Sequence, residues 1–385
     1  MKNLTSSLLA ALVLCRSSAS AQAPQDGGQV AVGIRVDTSA PPFRNIFLTW
    51  REYLQSGSGM YQPNANWSRA DQDRWPFYNL TLPWTHLATP GLPPVRATIV
   101  AIDPVVPSSR EEFVVRTLFT TVDTLTGATL PVALTRVYAI RENNRWVMAN
   151  AFPRLTASWH TAKFGRITFV YPPEHRFNAT RARQSARFVD SLAAAFDVPP
   201  PRSITFVVAD RPEALARILG VDLALPGTSN GRSVTANDMI LSGLPIYGEF
   251  YPHELTHLVL SPLTHQLGTS SLVDEGLAID IGGSQGKLFP QLMRELDDIL
   301  NANPTLRIAD LLDPSRAQDS IANRAAAALI RLTFERAGTP GVKRVLAPVK
   351  TAAGPNHWLS AAQVLGLKST ELGAAVRAIV RRDAR

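Results

Sequence analysis

Alternating apolar and polar positions run through residues 22–160 and predict a series of β-strands. Four runs there have the period of two that places alternate side chains on one face of a sheet. They read RATIVAIDPVV, EFVVRTLFTTVD, LPVALTRVYAIREN and RWVMANAFP, and turn signals such as Asn143-Asn144 separate them. The segment FLTWREYLQ, residues 47–55, predicts a helix before these strands. A helix followed by long antiparallel strands indicates an α+β module.

The stretch ALTRVYAIRENNRWVMANAFPR, read as a strand pair, resembles the nuclear-transport-factor-2-like fold, a cone-shaped antiparallel sheet with helices. The resemblance implies an α+β accessory domain over residues 22–160 and no particular activity, since that fold carries enzymes, ligand pockets and interaction modules alike. Six side chains of this region are candidates for lining a ligand pocket, although a role in the core is favoured for such residues. They are Trp50, Tyr53, Trp75, Tyr78, Trp84 and His86.

The pattern changes at Gly165, where short apolar runs begin to alternate with helical periodicity. GRITFVYPP and PRSITFVVA read as strands, and TRARQSARFVDSLAAAFDV between them is an amphipathic helix. SVTANDMILSG predicts a third strand, and after Tyr251 the chain is almost entirely helical in pattern. Residues 161–385 are therefore expected to form a second α+β domain, with a small sheet and a helical C-terminal subdomain.

The first 21 residues have the features of a secretory signal peptide. Lys2 supplies the positive end, an apolar stretch ends at Leu14, and Ala19-Ser20-Ala21 offers the small residues that a signal peptidase prefers. The apolar stretch is too short for a membrane span, which needs about 20 residues, and no later stretch approaches that length. Cys15 is the only cysteine, and Leu14 before it disfavours lipidation. We expect an exported protein, periplasmic or secreted, without disulfides or a membrane span.

Composition adds one exclusion. The 385-residue chain is 45% hydrophobic and carries a net charge of +8 that is spread along the sequence. No dense basic run interleaved with aromatic residues occurs, so a nucleic-acid partner is not expected.

The chemically informative segment is PHELTHLVLSP, which we interpret as a helix that begins at Pro252 and ends at Ser261-Pro262. Residues four apart lie about 40° apart around a helix, so His253 and His257 share one face. Two imidazoles aimed at one point are half of a tetrahedral zinc site. Glu254, about 100° away from His253, would lie beside the metal and move a proton between water and a leaving amine. A coincidental polar helix face is the alternative.

A third ligand must come from another element, and SSLVDEGLAIDIGG places Glu275 18 positions after His257. The combination resembles the gluzincin zinc metallopeptidases, in which HExxH is followed on a later helix by a ligand glutamate within an L/V-x-E-G-x-A element. This resemblance implies His253, His257 and Glu275 as zinc ligands and Glu254 as general base. It also implies an edge strand for substrate before the motif, where ANDMILSG stands. Gly276 would allow the two helices to approach closely.

The sequence departs from the gluzincin pattern at the residue that stabilises the oxyanion. That role is usually taken by a downstream tyrosine or histidine, and no tyrosine follows Tyr251. The substitutes are Ser320, Asn323, Arg324, His265 and His357. Tyr247 and Tyr251, just before the motif, either line the cleft or pack in the core.

Two acidic residues near Glu275 are candidates for orienting the imidazoles. Asp274 either accepts a hydrogen bond from His257 or pairs with Ser271 as a helix cap. Asp280 is a weaker candidate for orienting His253.

These observations together predict a zinc-dependent peptidase that acts on peptide or protein substrates behind an accessory domain. The alternative is a zinc-site protein with weak or absent catalysis, acting as an exported binding or interaction module.

Overall fold

The computed structural model describes residues 30–56, 63–81, 95–123, 125–224, 231–313, 319–351 and 354–385. The proposed signal peptide, Trp84 and His86 lie outside these residues. Contacts divide the chain into two compact units, one formed by residues up to His160 with Ala209–Asn230, the other by Thr161–Val208 with Gly231–Arg385. The predicted division, 22–160 and 161–385, assigns residues 209–230 differently, because a strand of that segment pairs with the sheet of the first unit. The exact domain bounds remain a prediction.

The first unit is a six-stranded sheet with helices, and it confirms the α+β class. Elements are numbered in chain order along the whole chain. The strands are β1 (Val30–Val32), β2 (Arg96–Pro104), β3 (Glu112–Val122), β4 (Thr129–Glu142), β5 (Arg145–Ala149) and β9 (Val221–Ala224). The helices are α1 (Phe43–Gln55), α2 (Arg69–Arg74), α3 (Phe152–Leu155) and α5 (Pro212–Ile218). The strand order is β1-β2-β3-β4-β5, and β9 also pairs with β4. Strands β1 and β2 are parallel, and the pairs β2-β3, β3-β4 and β4-β5 are antiparallel.

Strict alternation along β3 produces the core of this unit, because every second side chain of the strand is buried. Helix α1 covers that face with Ile46, Trp50 and Tyr53. Trp75 and Tyr78 are buried as well. The described aromatic residues of the region are therefore core residues. The cone shape of the nuclear-transport-factor-2-like fold remains a prediction.

The second unit contains a five-stranded sheet in the order β10-β11-β8-β7-β6. Its strands are β6 (His160–Phe164), β7 (Ile167–Tyr171), β8 (Ile204–Val208), β10 (Gly231–Val234) and β11 (Met239–Ser242). Helix α4 (Ala179–Ala195) connects the parallel strands β7 and β8. Strand β11 lies inside the sheet, parallel to β8 and antiparallel to β10. The predicted edge strand ANDMILSG is therefore wrong: Asp238, at φ 47°, reverses the chain, and β10 is the outer strand.

Helices make up most of the rest of this unit. They are α6 (Pro252–Leu267), α7 (Ser271–Gly282), α8 (Phe289–Ala302), α9 (Ile308–Leu311), α10 (Ser320–Leu346, interrupted at Gly338), α11 (His357–Leu365) and α12 (Ser369–Asp383). A short hairpin of β12 (Val349–Thr351) and β13 (Gly354–Asn356) precedes α11. Helix α6 does not end at Pro262 as predicted. It continues to Leu267, and Gly268, at φ 68°, ends it in the left-handed conformation that glycine adopts readily. Among the described residues, no helix has both the length and the apolar character to cross a bilayer.

Candidate metal centre

The two histidines of the HExxH motif lie on the first two turns of α6. Pro252 occupies the first helical position, where a missing N–H costs nothing, and the helix axis then places His253 and His257 one turn apart. Their Nε2 atoms are 3.3 Å from each other. Both side chains are largely buried, because Leu255, Leu258 and Val259 anchor the opposite side of the helix in the core.

Glu275 reaches the same point from α7. One carboxylate oxygen lies 3.6 Å from His253 Nε2, and the other lies 3.4 Å from His257 Nε2. Among the described residues, these three form a group whose potential ligand atoms all lie within 4.8 Å of one another. The structure thus brings together the three residues that the sequence analysis selects as ligands.

The outer ring nitrogens of the two histidines are held by hydrogen bonds. His253 Nδ1 is 2.7 Å from the Gly283 carbonyl oxygen, which can only accept, so this nitrogen donates. His257 Nδ1 is 3.1 Å from an Asp274 carboxylate oxygen. An imidazole whose Nδ1 is held in this way can present its Nε2 lone pair to a metal, as in metal sites where such partners fix the tautomer. No side-chain capping bond forms at the start of α7, whose N-cap is Ser270, so Asp274 acts as the orienting residue rather than a cap.

Two glycines of α7 set its position, and each does a different task. A Cβ atom on Gly276 would lie 2.6 Å from Ala326 Cβ, so Gly276 allows α7 to approach α10. The sequence analysis predicted instead that Gly276 allows α7 to approach α6. The close approach to α6 occurs at Gly282, where a Cβ would lie 2.6 Å from His253 Cα. This approach also brings the Gly283 carbonyl to His253.

The spacing of the three ligand atoms fits zinc. Zinc holds nitrogen and oxygen ligands at about 2.0–2.2 Å in a tetrahedron, which separates neighbouring ligand atoms by about 3.3–3.6 Å. The two Nε2 atoms, 3.3 Å apart, match this range, and each has one oxygen of Glu275 near it, Oε2 at 3.6 Å from His253 and Oε1 at 3.4 Å from His257. Two imidazoles and one carboxylate are also the donor set of catalytic zinc, and they leave a fourth position for water or substrate.

The electrostatics of the cluster favour bound positive charge. Burial raises the pKa of the Glu275 carboxyl, but the imidazoles of His257 and His253 lower it by more, so it lies well below its usual range. Burial lowers the pKa of His257, while the carboxylates of Asp274 and Glu275 outweigh burial and raise it. A cation at this point therefore takes a place where the surrounding groups already favour positive charge.

Glu254 is directed towards the sheet. Its Oε2 accepts a hydrogen bond of 2.6 Å from the backbone N–H of Ser233 on β10, the outer strand. The guanidinium of Arg232, on the same strand, interacts electrostatically with Glu254. Burial lowers the pKa of this guanidinium to about 10, and the negative charge of Glu254 opposes the decrease. One oxygen of the carboxylate is thus held against the outer strand β10.

Several other candidates have different roles in the structure. Asp280 pairs with Arg331 at 2.6 Å and does not orient His253. His265 is exposed on α6. Both ring nitrogens of His357 are engaged, one with the N–H of Ser270 and one with the carbonyl of Val345.

Arg324, another candidate, pairs with Glu295 at 3.1 Å.

Sequence reasoning missed the two backbone partners of the site, the Gly283 carbonyl and the Ser233 N–H. The Gly282-Gly283 pair was the available signal for the first, since adjacent glycines often mark a close approach of two backbones.

Comparison with known proteins finds similarity only among solved structures: no protein-family model and no curated protein sequence matches this chain. An M1 zinc metallopeptidase from Deinococcus radiodurans, in a mutant form bound to a Tyr-Ser-Ala substrate, has 16% identity and a TM-score of 0.33. That similarity covers 76% of this chain and 65% of the other. The same peptidase without the mutation gives 15% identity, a TM-score of 0.32 and the same coverage. These values are too low to establish a shared fold or activity.

Proposed function

We propose that this protein is a zinc-dependent peptidase of the gluzincin type, with His253, His257 and Glu275 as zinc ligands. The observation that carries the proposal is the convergence of two imidazole nitrogens and one carboxylate group, whose potential ligand atoms lie within 4.8 Å of one another. With both Nδ1 atoms held by outer partners, the two Nε2 atoms and the carboxylate oxygens face one another. A buried group of this kind favours a bound positive charge.

A zinc ion held here would supply Lewis-acid polarisation and make water acidic enough to act as a nucleophile near neutral pH. The chain's own contribution starts with Glu254. Because the Ser233 N–H holds Oε2, the other oxygen, Oε1, can take the proton of the attacking water and pass it to the departing amine nitrogen. The same hydrogen bond fixes the direction of the carboxylate before substrate arrives.

Strand β10 supports a peptide as the substrate class. As the outer strand, it has one side without a strand partner among the described residues, and on that side Glu254 already accepts from the Ser233 N–H. An extended peptide can pair with such an edge, which aligns one of its carbonyl groups with the metal centre. The cleavage would be a hydrolysis: water adds to the carbonyl carbon, the C–N bond breaks, and the amine leaves with the proton from Glu254.

The experiment is the variant Glu254→Gln, assayed on a library of quenched fluorescent peptides with zinc content measured in parallel. We expect hydrolysis to fall by about 10²–10⁴-fold, because the base is removed, while zinc stays bound. Glu174→Gln, a change at an exposed glutamate, serves as the control with unchanged rate. A parent chain that binds zinc and cleaves no peptide, or a Glu254→Gln variant that cleaves as well as its parent, would contradict the proposal.

The second candidate function is an exported zinc-site protein that binds partners without catalysis. The absence of any tyrosine after Tyr251 favours it, because the usual downstream oxyanion stabiliser is missing. Zinc binding without detectable hydrolysis by the parent would select this function. Export and the accessory role of residues 22–160 belong to the proposal in either case.

A further inference from the structure

Two tyrosines stand in the loop between β11 and α6, directly before the metal centre. The rings of Tyr247 and Tyr251 are stacked, with centroids 3.7 Å apart and planes 9° from parallel. Both are buried.

The loop is held on both sides. Arg181 of α4 donates to the carbonyl of Ile246 at 3.0 Å, and the hydroxyl of Ser185 donates to the carbonyl of Glu249. On the other side, the backbone N–H of Gly286 donates to the hydroxyl of Tyr247. Tyr247 is thereby fixed, and its ring in turn fixes the ring of Tyr251.

Tyr251 lies between the outer strand and the metal ligands. Its Cε1 would be 2.6 Å from a Cβ on Gly231, so the absence of a side chain on that residue of β10 gives the ring its place. The ring centroid is 6.4 Å from that of His253. Burial raises the pKa of Tyr251, and the charges of Glu254 and Glu275 add to the rise.

We infer that the hydroxyl of Tyr251 donates a hydrogen bond to the substrate carbonyl oxygen as that oxygen gains negative charge. The inference rests on the proposed peptidase function and assigns the oxyanion stabiliser to a residue upstream of HExxH. A phenol hydroxyl on this ring is suited to the task, because the ring is already ordered by Tyr247 and no reorganisation is needed. Tyr247 then acts as a positioning residue, since its hydroxyl interacts with that of Tyr251.

The alternatives among the described residues are less well placed. The ring nitrogens of His357 are both engaged, His265 is exposed, and Arg324 is paired with Glu295. Ser320 and Asn323 lie in the first turn of helix α10. Tyr251 combines a donor hydrogen with proximity to the ligand histidine His253.

The test is Tyr251→Phe, which keeps the stacked ring and removes only the hydroxyl. We expect kcat to fall by about 10²–10³-fold, as for the loss of one oxyanion donor, with KM changed less than kcat. Zinc content and the melting temperature should equal those of the parent. Tyr171→Phe, which removes a phenol hydroxyl on β7 of the same unit, is the matched control and should cleave like the parent.

A binding measurement separates donation to the oxyanion from a structural role. Zinc-loaded parent and Tyr251→Phe are titrated with a phosphinic peptide, whose tetrahedral anion resembles the charged carbonyl, and with a thiol peptide that lacks such an oxygen. We expect the variant to lose affinity for the phosphinic peptide by about tenfold or more and to keep its affinity for the thiol peptide.

Equal kcat and equal phosphinic affinity in parent and variant would overturn the assignment and leave the peptidase proposal intact. Lost zinc or a lowered melting temperature in Tyr251→Phe would also overturn it, because the hydroxyl would then be structural. A parent that neither binds zinc nor cleaves peptides would instead refute the proposed function, and this assignment with it.

Discussion

The buried polar groups of the two units are arranged in opposite ways. In the first unit, donors face acceptors: Trp50 Nε1 donates to Thr117 Oγ1 at 2.8 Å, and Asp71 accepts from the Asn150 N–H at 2.7 Å. In the second unit, the Nε2 atoms of His253 and His257 face each other and the carboxylate of Glu275. In the first arrangement each donor has its acceptor, whereas the second gathers two imidazoles and a carboxylate, the donor set of a catalytic metal.

This difference separates polar groups that stabilise a core from polar groups that bind a ligand. A buried donor paired with a buried acceptor has replaced its water and needs nothing more. Buried acceptors that converge on one point repel each other unless a cation lies between them. The comparison therefore predicts that changes in the first unit alter the free energy of unfolding alone, while changes around α6 and α7 also alter metal binding.

The largest effect is expected from Gly282→Ala. The new Cβ would lie 2.6 Å from His253 Cα and 2.7 Å from the carbonyl carbon of Pro252, and backbone atoms cannot move aside as a flexible side chain can. Helix α7 must then shift away from α6, which separates Glu275 from the imidazoles. We expect a loss of about 2–4 kcal/mol in the free energy of unfolding and weaker zinc binding, measured by chemical denaturation and zinc titration.

The matched control is Gly373→Ala. A Cβ on Gly373, within α12, meets nothing within 4 Å, so alanine there should raise the free energy of unfolding by about 0.5–1 kcal/mol and leave zinc binding unchanged. If Gly282→Ala behaved like this control, the close approach of α7 to α6 would not set the geometry of the site.

A smaller effect is expected from Thr117→Val in the first unit. Valine fills nearly the same volume but leaves the fully buried Trp50 Nε1–H without its acceptor. We expect a loss of about 1–3 kcal/mol in the free energy of unfolding, with zinc content and peptide hydrolysis unchanged. A variant that lost zinc as well as stability would show that the two units do not differ in the way we describe.

The grouping of His253, His257 and Glu275 could be predicted from the sequence, and their role as zinc ligands stays a prediction. Spacing of four on a helix places His253 and His257 on one face whatever the surroundings, and Glu275 was selected by the resemblance of its E-G element to that of the gluzincins. The α+β class of both units also follows from period alone. These predictions share one feature: each depends on residues that are close in sequence or on a pattern that repeats regularly.

The errors arise where tertiary contacts decide. The sequence could not predict that Gly276 contacts Ala326 while Gly282 contacts His253. Both glycines lie on the same helix, and only its packing against other helices distinguishes them. The sequence analysis assigned the outer position to the segment that forms β11, whereas β10 is the outer strand. The turn between them was missed because a left-handed Asp238 gives a weak signal in the sequence. The partners of His253 and Glu254 are backbone atoms, which every residue has, so the sequence does not indicate which residue supplies them.

The central claim is that three side chains hold one zinc ion. It is tested most directly by zinc analysis of the purified chain, of His257→Ala, and of His265→Ala as a control on the same helix, where the histidine is exposed. We predict one zinc per chain in the parent and in His265→Ala, and none retained by His257→Ala after dialysis. A parent without zinc, or a His257→Ala variant that keeps it, would contradict the account.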